Sequence, residues 1–241
     1  MITEDRILFI DNHLLILAKM SGELVQGDRT GDSCLEEEVK AYLKEKFNKP
    51  GEVYLGVVHR IDRPVGGSVV FARTSKAAAR LSKAIQERTW QKIYLAITQT
   101  WKGPQEGVLI HHLRKDARSN KSFVCAADAH GAKEGRLRYS VLANLDHYSL
   151  LAVALETGRH HQIRAQLAAM GAPIKGDLKY GAKRSNPDGG INLWAWQLNI
   201  QHPVAKMPLV ISCPPPSNWP SAVIKTLDSK DTIHALDQLM G

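Results

Sequence analysis

The sequence lacks any apolar run approaching the roughly 20 residues that a membrane-spanning helix needs. It has three cysteines, Cys34, Cys125 and Cys213, which lie far apart and form no C-x-x-C pair. That pattern excludes a disulfide framework and a zinc ribbon. Acids at positions 4 and 5 do not suit a secretory signal. These absences predict a cytoplasmic protein with reduced thiols and no membrane partner.

Sequence motifs for common cofactors are also missing. There is no G-x-x-x-x-G-K-[ST] and no G-x-G-x-x-G, which are the phosphate-binding loops of nucleotide and dinucleotide sites. There is no H-E-x-x-H, and the histidines and cysteines do not cluster at metal-ligand spacing. We therefore expect neither a nucleotide cofactor nor a metal ion.

The composition is that of a globular protein, with 44% apolar and 23% charged residues in 241 positions. No Gly/Ser-rich linker and no internal repeat interrupts the chain, so we expect one domain over residues 1–241. Short strands come first, and helices and strands then mix irregularly, which predicts an α+β fold and lacks the βαβ alternation of a doubly wound sheet.

Three helices are indicated by apolar spacing and capping residues. A Ser33-x-x-Glu36 capping box predicts a helix to about Phe47. Its apolar face is predicted to consist of Leu35, Val39, Tyr42, Leu43 and Phe47. The second helix is predicted over 75–88 with Ser75 as N-cap, and the third over 160–170 with Gly171 after its end. Strands are predicted as a pair within 6–18 around an Asp11-Asn12 turn, and over 68–72, 92–98, 136–144, 148–156, 191–200 and 208–213, followed by a helix from Ser221.

The net charge of +8 comes from two stretches of the chain. Residues 111–138 contain seven bases and three acids, and residues 158–184 contain six bases and one acid. Such concentrations suit a nucleic acid, an acidic small ligand, or simply a solvated basic surface. Charge alone leaves these three interpretations open.

The segment His59–Pro64 contains the first candidate for chemistry. Asp62 lies between Arg60 and Arg63, and neighbouring guanidinium groups favour the ionised form of a carboxyl. An ionised carboxylate is a competent nucleophile. The alternative is an ordinary ion pair at a surface turn.

The segment Gly158–Arg164, G-R-H-H-Q-I-R, begins a predicted helix. Helix N-termini favour anions, and Arg159 adds positive charge there. Arg164 lies one turn further on, next to the core-facing Ile163, and a partly buried arginine needs a carboxylate partner. Asp62 is a natural candidate for that partner, although any other acid could serve.

Three further segments could line a cleft or simply pack. Tyr94 lies in an alternating strand, Lys92–Ala96, and could stack on a base or belong to the core. The same two interpretations apply to the glycine-bounded turn Gly176–Gly181 and to Asn192–Trp196.

Taken together and in this order, the segments resemble the RluA-type family of RNA pseudouridine synthases. His59–Asp62 resembles the family's H-R-L-D signature, and Lys92–Ala96 resembles its K-x-Y-x-A strand. Lys115-Asp116 with Asn120-Lys121 is similar to its K-D…N-K element. Residues 158–164 resemble G-R-T-H-Q-I-R, and residues 173–181 resemble P-I-x-G-D-x-x-Y-G. The similarity extends from about residue 6 to about residue 213.

The resemblance implies an α+β catalytic domain with a mixed, mostly antiparallel central sheet flanked by helices, and a basic cleft. It implies isomerisation of uridine in rRNA or tRNA to pseudouridine, which adds and removes no atoms and needs no cofactor. Asp62 is the implied catalytic residue, as nucleophile or as base, after the uridine leaves its stack. Arg164 would pair with Asp62, and Tyr94 would stack on the uracil.

The resemblance also implies residues that hold the RNA. Arg60 would fill the gap left in the stack, and Leu193 would form part of an apolar floor. The basic stretches would hold phosphates, for which we expect contacts from Arg159, His161, Lys175 and Lys179. We expect a monomer with no obligatory protein partner.

Three segments depart from the family's pattern. Val65-Gly66-Gly67 replaces its T-S-G, and Lys19-Met20-Ser21-Gly22 replaces its K-P-x-G. Leu193-Trp194-Ala195 replaces its L-H-A. The small N-terminal RNA-binding appendage of many relatives is expected to be absent, because residues 1–20 already match the catalytic domain. A non-catalytic RNA-binding protein or chaperone, or a nucleobase hydrolase acting on RNA, remains an alternative function.

Overall fold

The computed structural model describes residues 2–28 and 31–227, together with Ser229, Thr232, Ala235, Leu236 and Leu239. The chain divides into two compact units. The first runs to Trp90 and also contains Ala195–Pro214. The second contains Gln91–Trp194 and the chain from Pro215 onward.

The first unit is built on a sheet with the strand order β1-β2-β4-β10, in which β3 pairs with β4 and β11 with β10. The pairings β1–β2, β2–β4, β3–β4 and β10–β11 are antiparallel. The strand bounds are β1 Ile7–Ile10, β2 Leu14–Lys19, β3 Gly56–Val57, β4 Gly66–Ala72, β10 Leu193–Gln201 and β11 Pro208–Ser212. The predicted hairpin is confirmed: the Asp11 carboxylate accepts the backbone N–H groups of His13 and Leu14, each at 2.7 Å.

Two helices cover the two faces of this sheet, which explains why β2 is apolar throughout. Leu15 and Leu17 pack in one cluster with α1 (Leu35–Lys46), while the alternate residues of β2 pack in another with α2 (Ser75–Gln86). A strand sends successive side chains to opposite faces, so a strand buried on both sides has no polar face.

Both helices begin differently from the prediction. The N-cap of α1 is Cys34, which makes no side-chain cap; instead, the N–H groups of Leu35 and Glu36 bond to the carbonyls of Leu24 and Val25 at 2.8 and 3.1 Å. The Ser33 capping box is therefore wrong, because a neighbouring segment satisfies those donors. In α2 the N-cap is Thr74, whose hydroxyl accepts the N–H of Ala77, one residue before the predicted Ser75.

The second unit has the strand order β5-β9-β8-β6-β7. The pairings β5–β9, β8–β9, β6–β8 and β6–β7 are antiparallel. The strands are β5 Gln91–Gln99, β6 Glu106–Asp116, β7 Lys121–Cys125, β8 Lys133–Asn144 and β9 Tyr148–Leu155. The helices are α3 Gln162–Ala169 and α4 Ser221–Leu227, with a 3₁₀ helix at Leu178–Tyr180. The hairpin of β6 and β7, within the first basic stretch, was not predicted.

The predicted α+β class and its mostly antiparallel strands are confirmed. Predictions for β5, β8, β9 and α3 hold to within a few residues, and Gly171 follows α3 with a φ of 74°, as expected for the residue after a helix end. The number of domains stays a prediction. Among the described residues, no helix is both long and apolar enough to cross a membrane.

Candidate active site

In the first unit, a buried lysine holds the loop that carries Asp62 by hydrogen bonds to its backbone carbonyls. Lys19 ends β2 with no exposed surface, and its ammonium donates to the carbonyl oxygens of Asp62, Arg63 and Val65, and to that of Met20. The distance to the Asp62 oxygen is 3.3 Å and to the Arg63 oxygen 3.0 Å. A buried ammonium is tolerated only when such acceptors surround it, so this lysine fixes the backbone at Asp62 and directly after it.

The turn after Lys19 contacts the same loop. The Gly22 N–H donates to the Arg63 carbonyl at 2.8 Å, and the Arg63 guanidinium donates to the Gly22 carbonyl at 3.0 Å. Arg63 also pairs with Asp32 at 2.8 Å. Lys19 and Gly22 are the positions that this turn shares with the family's K-P-x-G, while the replaced proline position, Met20, is exposed. The departure therefore leaves both contacts to the Asp62 loop in place.

Gly67 is the second residue of β4, the strand that follows the loop, and can only be glycine. Its φ is +116°, and a Cβ there would lie 2.4 Å from the Ala195 backbone nitrogen and oxygen. No side chain fits at that distance, and the positive φ is strained for other residues. Gly67 occupies the position of the glycine in the family's T-S-G. The glycine is kept there because the backbone of β10 lies too close for any other residue.

The two residues before Ile61 have different surroundings. His59 accepts the Val70 N–H on its Nε2 at 2.9 Å, so its side chain continues the hydrogen bonding where β3 has left β4. Arg60 is exposed, and its guanidinium donates to the Gln26 side-chain oxygen at 3.3 Å. Arg60 therefore lies on the surface, where the predicted insertion into an RNA stack requires it.

Replacing Lys19 with methionine should lower the free energy of unfolding by about 2 kcal/mol at neutral pH, because buried carbonyls lose their donor. Burial lowers the pKa of Lys19 to about 8 from its usual 10.5, against the attraction of Glu23 and Asp62. Between these two values the unfolded chain binds a proton that the folded chain does not, so the stability of the unaltered protein rises with pH there. Methionine has no such dependence, so the stability gap between the two proteins should widen above pH 8.

Urea unfolding at about pH 7 and about pH 9.5 measures both effects. The stability difference can grow by at most about 1.4 kcal/mol per pH unit, the limit for one proton. Lys49→Met, at an exposed lysine of the same unit, is the matched control and should change stability little. If the stability difference between the unaltered protein and Lys19→Met became smaller as the pH rises, the lowered pKa of Lys19 would be contradicted.

In the second unit, Arg164 on α3 forms a buried pair with Asp177. The Arg164 Nε and Nη2 donate to the two carboxylate oxygens at 2.7 and 2.9 Å, and the side chains are 5% and 1% exposed. This two-point geometry is the strong form of an arginine–carboxylate pair. This pair uses two of the five guanidinium N–H groups. The predicted pairing of Arg164 with Asp62 stays a prediction.

Tyr180 connects Arg164 to the β6–β7 hairpin. The Arg164 guanidinium carbon lies 5.0 Å from the centre of the tyrosine ring. The Tyr180 hydroxyl accepts the Ser122 N–H at 2.8 Å and donates to the Ser122 carbonyl at 3.1 Å, so it closes the open edge of β7. The Tyr180 hydroxyl also lies 2.9 Å from Nδ1 of His161.

His161 is buried, precedes α3 and has a left-handed backbone with φ 52°. Burial, together with the charges of Arg164 and His160, lowers the pKa of His161 to about 2. The ring is therefore neutral at any physiological pH and does not carry the charge that the predicted phosphate contact would use.

The other predicted phosphate contacts hold nearby chain segments in this structure. Arg159 donates to the Glu134 carbonyl at 2.8 Å. Lys175 is half-buried and donates to the Asn186 side chain at 2.9 Å. Lys179 is exposed and lies 3.3 Å from the carbonyls of Ser119 and Asn120, in the hairpin turn. Lys179 thus braces the turn between β6 and β7, Arg159 contacts β8, and Lys175 braces a different loop.

Tyr94 and Leu193 are both buried side chains of the second unit. Tyr94 pairs with Val153 across β5 and β9 and keeps 8% of its surface exposed. Among the described residues, no group of three or more histidine, cysteine or acidic side chains could hold a metal ion.

Sequence reasoning missed the roles of Lys19, Asp177 and Tyr180. A signal for Asp177 was present, because it is the one acid among the six bases of residues 158–184. A buried arginine in that stretch therefore had a single local partner. Nothing in the sequence signalled the burial of Lys19, since its acceptors are backbone carbonyls.

Comparison with known proteins identifies the class of this chain. A model of the RNA pseudouridylate synthase family matches residues 13–169. An uncharacterized RNA pseudouridine synthase of Zymomonas mobilis is 32% identical over 212 residues, covering 88% of this chain and 94% of the relative. The chain therefore belongs to the RNA pseudouridylate synthase family.

Three further comparisons concern two relatives in sequence and one solved structure. Ribosomal large subunit pseudouridine synthase D of Nitrosomonas europaea is 32% identical over 232 residues, and the chain spans 62% of its length. A Chloroflexus aurantiacus RNA pseudouridine synthase is matched over 42% of its length. The structure of human RNA pseudouridylate synthase domain containing 4 shares the fold, with a TM-score of 0.74, 22% identity, and coverage of 98% of this chain and 93% of that one.

Proposed function

We propose that this chain is an RNA pseudouridine synthase that isomerises uridine within RNA to pseudouridine. The bond from the sugar to a uracil nitrogen breaks, and a bond from the sugar to a uracil carbon forms. One proton leaves that carbon and one is gained by the nitrogen, so atoms balance without a cofactor. The observation that carries the proposal is the Asp62 loop, whose backbone is fixed by Lys19 while the aspartate remains half-buried.

We assign Asp62 as the catalytic residue, attacking the nucleotide or removing a sugar proton. Arg164 is proposed to orient the Asp62 carboxylate, with Asp177 fixing the guanidinium. Tyr94 is proposed to stack on the flipped uracil, above an apolar floor that includes Leu193. Flipping costs a few kcal/mol. Arg60 is proposed to occupy the gap in the RNA, which its exposed position supports.

We take large-subunit rRNA as the first candidate substrate, because named relatives of Nitrosomonas europaea and Vibrio vulnificus are ribosomal large subunit pseudouridine synthases. Arg159, Lys175 and Lys179 remain proposed phosphate contacts, each after release from its present partner. The proposal includes a cytoplasmic monomer without an obligatory protein partner.

Large-subunit rRNA and a tRNA pool, both transcribed in vitro with tritium at uracil C5, provide the test. We expect tritium release on at least one RNA, with pseudouridine in the nucleoside digest and no free uracil. Free uracil would instead identify a nucleobase hydrolase. RNA binding without tritium release on either pool would identify a non-catalytic binding protein.

A further inference from the structure

The outer face of the β6–β7 hairpin carries exposed apolar side chains. Val108, Ile110 and Phe123 are 43%, 49% and 42% exposed. Phe123 lies directly opposite Arg114 in the pairing of β6 with β7, and alternate residues of β6 share one face. Val108, Ile110, Arg114 and Phe123 therefore lie on the same side of the sheet.

That face is turned away from α3 and from Arg164. The alternate residues of β6 include Leu109 and Leu113, which are buried. Leu113 packs with Ala165 of α3 and with Tyr180. Because successive residues of a strand point to opposite faces, Phe123 lies on the side of the sheet opposite the helix that carries Arg164.

Two cations flank the Phe123 ring. The Lys121 ammonium lies 5.1 Å from the centre of that ring, and 4.9 Å from the centre of the Tyr180 ring. Arg114 is exposed opposite Phe123. Within the described part of the chain, neither Arg114 nor Lys121 forms an ion pair with a carboxylate. Asp116 lies on the same face, directly opposite Lys121 in the pairing of β6 with β7, and its carboxylate attracts Arg114. Two cations and one carboxylate leave net positive charge beside the ring.

Among the described residues, the neighbouring charged side chains, unlike Arg114 and Lys121, form hydrogen bonds or ion pairs of their own. Asp116, the one acid between positions 111 and 125, has its carboxylate oxygens bonded to the Arg118 N–H at 3.0 Å and the Ser119 hydroxyl at 2.7 Å. On β8, Arg136 and Arg138 both pair with Glu156. Arg114 and Lys121, which form no ion pair with a described carboxylate, are therefore the cations of this face that lie next to Phe123.

We propose that this outer face is a second RNA-binding surface, on which an unpaired base stacks on Phe123 while Arg114 and Lys121 contact the adjoining phosphates. An exposed ring with flanking cations is the arrangement by which proteins bind single-stranded nucleic acid. An apolar protein partner would bury two cations beside the single carboxylate of Asp116, which is costly. The inference rests on the proposed function, since it extends the RNA contact beyond the catalytic face.

Binding of a fluorescein-labelled, uridine-rich RNA dodecamer, followed by anisotropy, tests the surface. The full chain carrying Asp62→Asn serves as parent, so that no turnover occurs. Phe123→Ala should weaken binding of the dodecamer about tenfold, the effect of losing one stacked base. Phe123→Tyr should bind as the parent does, because it keeps the ring.

Val124→Ala is the matched control, because Val124 is the next residue of β7, is 38% exposed and faces the other side of the sheet. It should bind within about twofold of the parent. Parental affinity in Phe123→Ala, or equal losses in Phe123→Ala and Val124→Ala, would overturn the proposal. A dimer in sedimentation that Phe123→Ala dissociates would also overturn it, assigning the face to a second copy.

The test separates this inference from the proposed function. Tritium release from rRNA by the Asp62-containing chain reports the reaction alone. If RNA affinity depended on Phe123 but the chain released no tritium, the second RNA-binding surface would be supported and the proposed synthase activity would be contradicted. If turnover were normal but Phe123→Ala did not change RNA affinity, the synthase activity would be supported and the second RNA-binding surface would be contradicted.

Discussion

Replacing Asp62 with asparagine should reduce tritium release from C5-labelled rRNA by at least about 10³-fold, the scale expected for loss of an essential nucleophile or base. The amide has the shape of the carboxylate but carries no charge, so it can neither attack the sugar nor accept its proton. The backbone contacts of the loop, from Lys19 to the carbonyls of Asp62 and Arg63, do not involve the carboxylate. The fold should therefore persist.

Two measurements keep this result specific. The urea midpoint of Asp62→Asn should stay close to that of the parent, and its affinity for the rRNA should change by only a few-fold, because phosphate contacts dominate RNA affinity. Asp128→Asn, at an exposed aspartate, is the control and should retain full activity. Turnover by Asp62→Asn within tenfold of the parent would refute the assignment of the catalytic residue.

The helices of this protein could be predicted where apolar spacing decides the structure, but their first residues could not. Of the predicted apolar face of α1, Leu35, Val39 and Leu43 are buried, whereas Tyr42 is half-buried and Phe47 is exposed. The start of α1 was misplaced because the carbonyls of Leu24 and Val25 cap it, which is a tertiary contact. A local capping pattern carries no information about such a distant acceptor.

The β6–β7 hairpin was missed because both faces of β6 carry apolar residues. Leu109 is buried, yet Val108 and Ile110 on either side of it are exposed. The alternation that marks a half-buried strand is therefore absent from the sequence. The exposed apolar residues that hid the strand are those of the proposed second RNA-binding surface, which agrees with the expectation that local rules fail at functional sites.

For the candidate site, the sequence indicated which residue types matter but not all of their partners. Arg164 was expected to need a carboxylate, and it has one in Asp177. Asp62 was the candidate named first, because it was already the candidate for chemistry, although any other acid could serve. The pairing of Arg164 with Asp62 stays a prediction.

Replacing Arg164 with methionine should lower the free energy of unfolding by about 3–5 kcal/mol, the cost of removing one partner of a buried ion pair. Asp177 is 1% exposed and would be left with its charge inside the second unit. Arg184→Met, at an exposed arginine, controls for the general effect of the substitution and should change stability by under about 0.5 kcal/mol. Urea unfolding of the three proteins at pH 7 measures these differences.

The double variant Arg164→Met/Asp177→Asn separates the buried charge from the lost packing. Because the amide removes the uncompensated charge, the double variant should recover about half of the stability lost in Arg164→Met. Its activity should remain as low as that of Arg164→Met, since neither variant has a guanidinium to orient Asp62. Asp177→Asn alone keeps the guanidinium and one hydrogen-bonding oxygen, so it should lose less activity than either. If the double variant regained activity together with stability, Arg164 would be a purely structural residue and its proposed action on Asp62 would be excluded.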